Sequence, residues 1–248
     1  MSQPGQGLSV GLFATCINDV MFPDTPKHVA ELLTRLGCSL TSSPAQTCCG
    51  QMFTNTGYFR EGEATVEAYV EAFADCDYVV APSASCIGSV RHQHQMLAAH
   101  RPALARKVDR LIKRSLDLTE FLTDILEVED VGASFPHTVT YHTGCHSLRV
   151  ARIGDRPQRL LRAVRGLRLV DLADSDICCG FGGTFCLKNP DVSIAMATNK
   201  AKAVADTKAE YLAAVDNACL MNIGGILHRI KAPVTPIHVA SILVQQEP

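Results

Sequence analysis

The sequence predicts an α/β fold built from two tandem β-α-β-α-β modules, residues 1–130 and 131–248. Three observations predict it. A spacing of cysteines occurs twice, short apolar runs alternate with helix-period segments, and a polar stretch separates the halves.

One set is Cys16, Cys48–Cys49 and Cys86; the other is Cys145, Cys178–Cys179 and Cys219. The offsets between equivalent positions are 129, 130 and 133 residues (Cys16 to Cys145, Cys48 to Cys178, Cys86 to Cys219). Three offsets this close mark two copies of one module.

Each element follows from local pattern. SVGLFAT (9–15) is a short apolar run, the expected first strand, and ends at Cys16. DTPKHVAELLTRLG places a cap at Asp24 or Thr25, with Pro26 in the first turn. Val29, Leu32, Leu33 and Leu36 form one helical face and Gly37 is the stop. A weak strand follows at 39–42. Val66, Tyr69, Val70 and Phe73 repeat the helical spacing, and DYVVAPS (77–83) reads as a strand that ends just before Cys86.

The second copy runs HTVTYHTG to Cys145, then a helix through 156–165 and the strand-like LRLVDL (167–172) before Cys178. A helix capped by Asn189–Pro190 and the strand AEYLAAV lead to Cys219. The copies close on similar text, LDLTEFLTDIL (116–126) and IHVASILVQ (237–245), and EVEDVGASFP (127–136) is the expected linker.

Composition narrows the function classes. The chain is 47% hydrophobic with a formal net charge of −2, which argues against nucleic acid or an anionic membrane as main partner. No apolar run approaches the roughly 18–20 residues of a membrane span, and MSQPGQG has no basic leader region. A cytoplasmic location is expected, where thiols stay reduced. Eleven cysteines is a high count there, and an odd one, so metal or redox chemistry is favoured over structural disulfides.

In a parallel sheet, ligands sit in the crevice beyond the carboxyl ends of the strands. Every cysteine of the two sets follows a strand, so each set is expected to converge at one sheet edge, beside helix N-termini that favour thiolates. Cys16, Cys48, Cys49, Cys86, Cys145, Cys178, Cys179 and Cys219 are therefore the candidate metal ligands. Four thiolates suit zinc or an iron–sulfur cluster. Adjacent cysteines are awkward for one tetrahedral ion and easier for a cluster, where each reaches a different iron. Gly50 and Gly180, with Gly182 and Gly183, are expected at the cofactor because glycine lets the backbone approach a bulky ligand. Cys186 is a candidate further sulfur for the second site. Cys38 and Cys76 read as small buried apolar residues.

The texts LFATCINDVMFP, AQTCCGQMFTNTGY, APSASCIGSVRH, YHTGCHSLR, CCGFGGTF and MNIGG resemble the cysteine-rich CCG domain. Within that group the chain is most similar to the lactate-utilisation protein A family, related to the CCG-bearing subunit of heterodisulfide reductase and to the glycolate oxidase iron–sulfur subunit. The resemblance implies an iron–sulfur electron-transfer subunit of a complex that oxidises L-lactate to pyruvate. It further implies two partner subunits, an unassigned electron acceptor, and no activity alone. One departure matters. The reductase subunit carries C-x-x-C where this chain has Ser83 before Cys86 and Asp216 before Cys219. Four thiolates per module make an ordinary [4Fe–4S] cluster the expectation, in one or both modules, with zinc in one module as the alternative. An independent thiol–disulfide reductase and a non-redox structural zinc protein are the competing functions.

His142 and His146 flank Cys145, and His92 and His94 follow Cys86. A ligand, a hydrogen-bond donor to sulfur and a packed ring are all open for them, the packed ring being favoured for His92 and His94. Seven arginines lie between Arg149 and Arg168, most simply a solvated helix face, with Arg149 close enough to Cys145 to hold an organic acid or an acidic partner. No Ser–His–Asp set, paired carboxylates or dinucleotide fingerprint occurs, so no catalytic residue is assigned.

Overall fold

The computed structural model describes residues 3–247. Its contacts divide the chain into two units, Met1–Val128 and Glu129–Pro248.

The first unit runs β1 (Ser9–Leu12), α1 (Cys16–Met21), α2 (Asp24–Arg35) and β2 (Ser39–Thr41). It continues with α3 (Gln51–Thr56), α4 (Phe59–Phe73), β3 (Tyr78–Ala81), α5 (Ala84–Leu97) and α6 (Pro102–Ile112). It closes with β4 (Ser115–Asp117), α7 (Leu118–Glu120) and a π-turn at Phe121–Ile125. The second unit runs β5 (Thr138–Tyr141), a π-turn at Ser147–Ala151, α8 (Arg156–Ala163) and β6 (Arg168–Val170). Then come α9 (Phe185–Lys188), α10 (Pro190–Asp206), β7 (Tyr211–Ala214), α11 (Asn217–Arg229), β8 (Thr235–His238) and α12 (Val239–Leu243).

The α/β class and the two modules are as the sequence predicts. Each module, however, holds four strands rather than three. The sheets are fully parallel, in the orders β2-β1-β3-β4 and β6-β5-β7-β8. The fourth strands, β4 and β8, come from the two closing segments. They are short, and in β4 only a single leucine stands between Ser115 and Asp117, so alternation gives no signal. Two local expectations also shift. α2 begins at Asp24 with Pro23 at the cap position, and Asp24 instead pairs with Lys27 at 3.0 Å. α8 ends at Ala163, because Val164 is already extended.

The periodic residues do what their spacing predicts. Val29, Leu32 and Leu33 of α2 and Val66, Tyr69, Val70 and Phe73 of α4 are buried. Phe13, Tyr69 and Phe73 meet edge to face, with ring centroids 5.0 to 5.7 Å apart. At roughly 1.5–3 kcal/mol per fully buried large apolar side chain, these faces fix each helix on its sheet. The order 2-1-3-4 places a switch point between β1 and β3, and its counterpart between β5 and β7. The loops after these two strands diverge there and leave a crevice.

Candidate metal centre

Each crevice gathers one set of cysteines. Cys16 starts α1 directly after β1, and Cys86 lies in the first turn of α5 after β3. Cys48 and Cys49 end the loop that follows β2. In the second module Cys145 follows β5, Cys178 and Cys179 follow β6, and Cys219 lies in the first turn of α11.

The thiols meet in the same order in both modules. Cys145 Sγ stands 3.7 Å from Cys178 Sγ, and Cys179 Sγ stands 3.0 Å from Cys219 Sγ. In the first module Cys48 hydrogen-bonds Cys16, and Cys49 hydrogen-bonds Cys48 and Cys86. Such rows share protons. Hydrogen bonds from Cys16 and Cys49 hold the Cys48 thiol far below its ordinary value, at about 3. Those from Cys145 and Cys179 bring Cys178 to about 2. The thiols that donate, Cys16 and Cys145, are pushed up correspondingly. Cys219 comes down to about 7, chiefly through its hydrogen bond with Cys179. In each row the thiol that accepts from two neighbours is the one held toward the thiolate, the form that binds metal.

The frame around the pair is duplicated. Ser89 Oγ donates to the Cys49 carbonyl at 3.2 Å, and Asn222 Nδ2 donates to the Cys179 carbonyl at 2.8 Å. Both residues stand three positions after the last cysteine of their set, so a register alignment of the repeat identifies them; composition alone does not. The segment after the first cysteine is also tied down in both copies, by Asn18 Nδ2 to the Pro82 carbonyl at 3.0 Å and by Ser147 Oγ to Asp216 Oδ2 at 3.1 Å. Thr15, just before Cys16, is held at φ 68°, a strained conformation for a β-branched residue.

Gly50 and Gly180 sit at φ 85° and 86°. A Cβ there would meet Thr65 Oγ1 at 2.8 Å in the first module and the Ser193 carbonyl oxygen at 2.8 Å in the second. Left-handed backbone and the adjoining helix require these glycines. Gly182 and Gly183 are also left-handed, and a Cβ on Gly182 would meet Phe185.

The histidines divide. His94 is fully buried, with Nε2 3.0 Å from the Cys49 carbonyl oxygen, and burial lowers its pKa to about 4. His92 is exposed. His146 Nδ1 lies 3.7 Å from Cys145 Sγ. His142 is fully buried, and neither of its ring nitrogens meets a protein oxygen or nitrogen. It forms a compact group with Cys179 and Cys219, whose ligand atoms lie within 4.8 Å of one another. Four thiols with such a buried imidazole beside them are a donor set that fits a thiophilic metal.

The remaining candidates have other partners. Cys38 and Cys76 are buried in the core, and Cys186 Sγ donates to the Gly183 carbonyl at 3.2 Å. Arg149 reaches the Asp176 carbonyl at 3.3 Å. Arg159 pairs with Glu129, and Arg165 with Glu247 at 3.2 Å, as a solvated face would.

The profile of the CCG cysteine-rich domain family matches residues 10–91 and 139–224, one match over each crevice. The chain belongs to that family. This CCG protein is 42% identical over 236 residues to "Lactate utilization protein A" of Oceanobacillus iheyensis, covering 95% of this chain and 96% of the relative. The protein of the same name from Geobacillus thermodenitrificans is also 42% identical, over 95% of this chain and 98% of its own. The CCG protein is thus a member of the lactate utilization protein A family. Its fold is similar to that of a hypothetical protein from Helicobacter pylori (TM-score 0.65, 12% identity, 98% of this chain and 50% of that one). No helix among the described residues of the CCG protein is long and apolar enough to cross a membrane.

Proposed function

We propose that the chain is the iron–sulfur electron carrier of a cytoplasmic, lactate-oxidising complex, with one [4Fe–4S] cluster in each module. The observation that carries this reading is the convergence of four thiols, twice, at the switch points of two parallel sheets. Cys16, Cys48, Cys49 and Cys86 would hold the first cluster, and Cys145, Cys178, Cys179 and Cys219 the second. A bound cluster supplies reversible one-electron exchange at a potential set by its surroundings. The chain's own residues set those surroundings. Ser89 and Asn222 fix the pair backbones, and the buried core beneath Cys49 and Cys179 keeps water from that side.

Lactate gives up two electrons and two protons on becoming pyruvate. In this reading the chain carries those electrons between two partner subunits and an acceptor. The relatives' name supports lactate as the source. A second reading rests on His142, Cys179 and Cys219, a compact nitrogen–sulfur trio of the kind that holds zinc.

Anaerobic purification followed by iron, acid-labile sulfide and zinc analysis decides. About eight irons and eight sulfides per chain are expected for two four-iron clusters. Zinc without sulfide would overturn the electron-transfer reading. Rapid disulfide reduction by the isolated chain would instead favour a stand-alone reductase.

A further inference from the structure

The two centres differ at one buried position. Aligned on their first cysteines, the modules place Phe13 and His142 in register, each three residues before Cys16 or Cys145. Both side chains are buried, at 1% and 0% exposure. Phe13 is an apolar ring packed edge to face on Tyr69 and Phe73. His142 is an imidazole grouped with the sulfurs of Cys179 and Cys219. Neither of its nitrogens is satisfied by a protein oxygen or nitrogen, and the partner that it meets is the Cys219 sulfur. The buried histidine of the first module, His94, is already committed to the Cys49 carbonyl, so its ring makes no equivalent offer to sulfur.

We propose that His142 is a positioning residue whose ring N–H hydrogen-bonds a metal-bound sulfur of Cys219 or Cys179, giving the second centre a donor that the first lacks. The inference rests on the reading that both modules hold clusters. Adding an electron makes the cluster sulfurs more negative, and a donor aimed at them stabilises that state more than the oxidised one. His142 therefore raises the second centre's reduction potential. Two neighbours act beside it. Lys200, 3% exposed with Nζ on the Asp174 carbonyl, places a cation within electrostatic reach of Cys178 and Cys179, and the buried Asp216 carboxylate acts against it and His142 at Cys219. Comparing His142 variants in one chain holds these constant.

Iron and sulfide analysis of the unmodified chain comes first. Their absence removes the cluster reading, and this proposal with it. With two clusters present, EPR-monitored potentiometry is run on the unmodified chain and on His142→Phe, which copies the first module's ring. Expected is a downward shift of one midpoint, at least tenfold in the reduced-to-oxidised ratio at fixed potential, or about 59 mV for one electron. The other midpoint stays. His142→Gln and His142→Asn, which place an amide N–H near one or the other ring nitrogen, recover part of the shift and serve if the phenylalanine variant fails to fold. Two unmoved midpoints overturn the proposal. So do equal shifts of both, or a folded His142→Phe chain with only the second centre's iron missing, since the ring would then be a ligand.

Discussion

Cys179 and Cys219 are 40 residues apart in the chain and bring their sulfurs to 3.0 Å. β6 and β7 are not neighbours in the sheet; β5 lies between them. The contact exists because the loop between edge strand β6 and α9 brings Cys179 to the first turn of α11, the helix that follows β7. One thiol on a loop and one on a helix hold this distance by sharing a proton or a metal.

If that contact closes a metal centre, Cys219→Ser removes one centre and leaves the other. Iron and sulfide should fall from about eight to about four each, with one EPR signal retained. Cys86→Ser should give the mirror result, with the complementary signal retained. Loss of both signals from either single variant would contradict independent centres.

The glycines after the pairs make unequal predictions. Gly180→Ala meets a backbone carbonyl, Ser193 O, whereas Gly50→Ala meets the Thr65 hydroxyl and the Leu97 side chain, which rotate away. Both substitutions incur the left-handed penalty of roughly 1–2 kcal/mol. Gly180→Ala should cost more, read as a larger fall in its module's urea midpoint. Equal midpoints would remove the backbone clash as the reason for glycine.

Much of this was legible in the sequence. Helical spacing identified the buried faces of α2 and α4, and the repeat identified which eight cysteines converge. β4 and β8 escaped because neither is an apolar run: SLD holds one leucine and TPIH one isoleucine beside a proline. Their ends did carry a signal. Asp117-Leu-Thr-Glu120 is a capping box, with Asp117 Oδ1 accepting from Thr119 N at 2.8 Å and Glu120 Oε2 from Asp117 N at 3.0 Å. Ser89 and Asn222 escaped because they differ in kind; only the register shows that they do one task. The orientation of His142 is a tertiary fact, set by the core that encloses it, and no local pattern encodes it.

Ser89 and Asn222 should act in the same direction but by unequal amounts. Ser89→Ala and Asn222→Ala each leave a buried cysteine carbonyl short of a donor, at about 1–3 kcal/mol. His94 still serves Cys49, so Asn222→Ala should be the more damaging. Chemical denaturation of the metal-loaded chain measures this, and a larger loss for Ser89→Ala would refute the ranking.

Arg91 anchors α5, the helix that carries Cys86. It meets Glu120 through two parallel bonds, Nη1–Oε1 at 3.0 Å and Nη2–Oε2 at 2.9 Å, and its Nε donates to the Ser115 carbonyl at 2.9 Å. The pair is largely buried, so Glu120→Ala strands a guanidinium and should cost about 3–5 kcal/mol. A double variant with Arg91→Met should recover part of that, because the buried charge goes too. If the double variant is no better than the single one in a urea melt, the ion pair is not what couples them.

Glu210 gives a pH prediction whose sign is fixed. Its carboxylate accepts from Thr138 N at 2.9 Å and meets His137 Nδ1 at 2.7 Å. The backbone N–H, then the histidine, hold its pKa below the ordinary 4.5. The unfolded chain therefore binds a proton more readily, so the group's contribution is present above about pH 4.5 and is lost as pH falls through the folded value. Both partners are solvent-exposed, and the effect is small. Carboxyl-carbon NMR should show Glu210 titrating below 4.5. His137→Ala should raise that midpoint only part of the way, because the Thr138 amide remains. Full return to the ordinary value in that variant would make the histidine, not the backbone, the dominant partner.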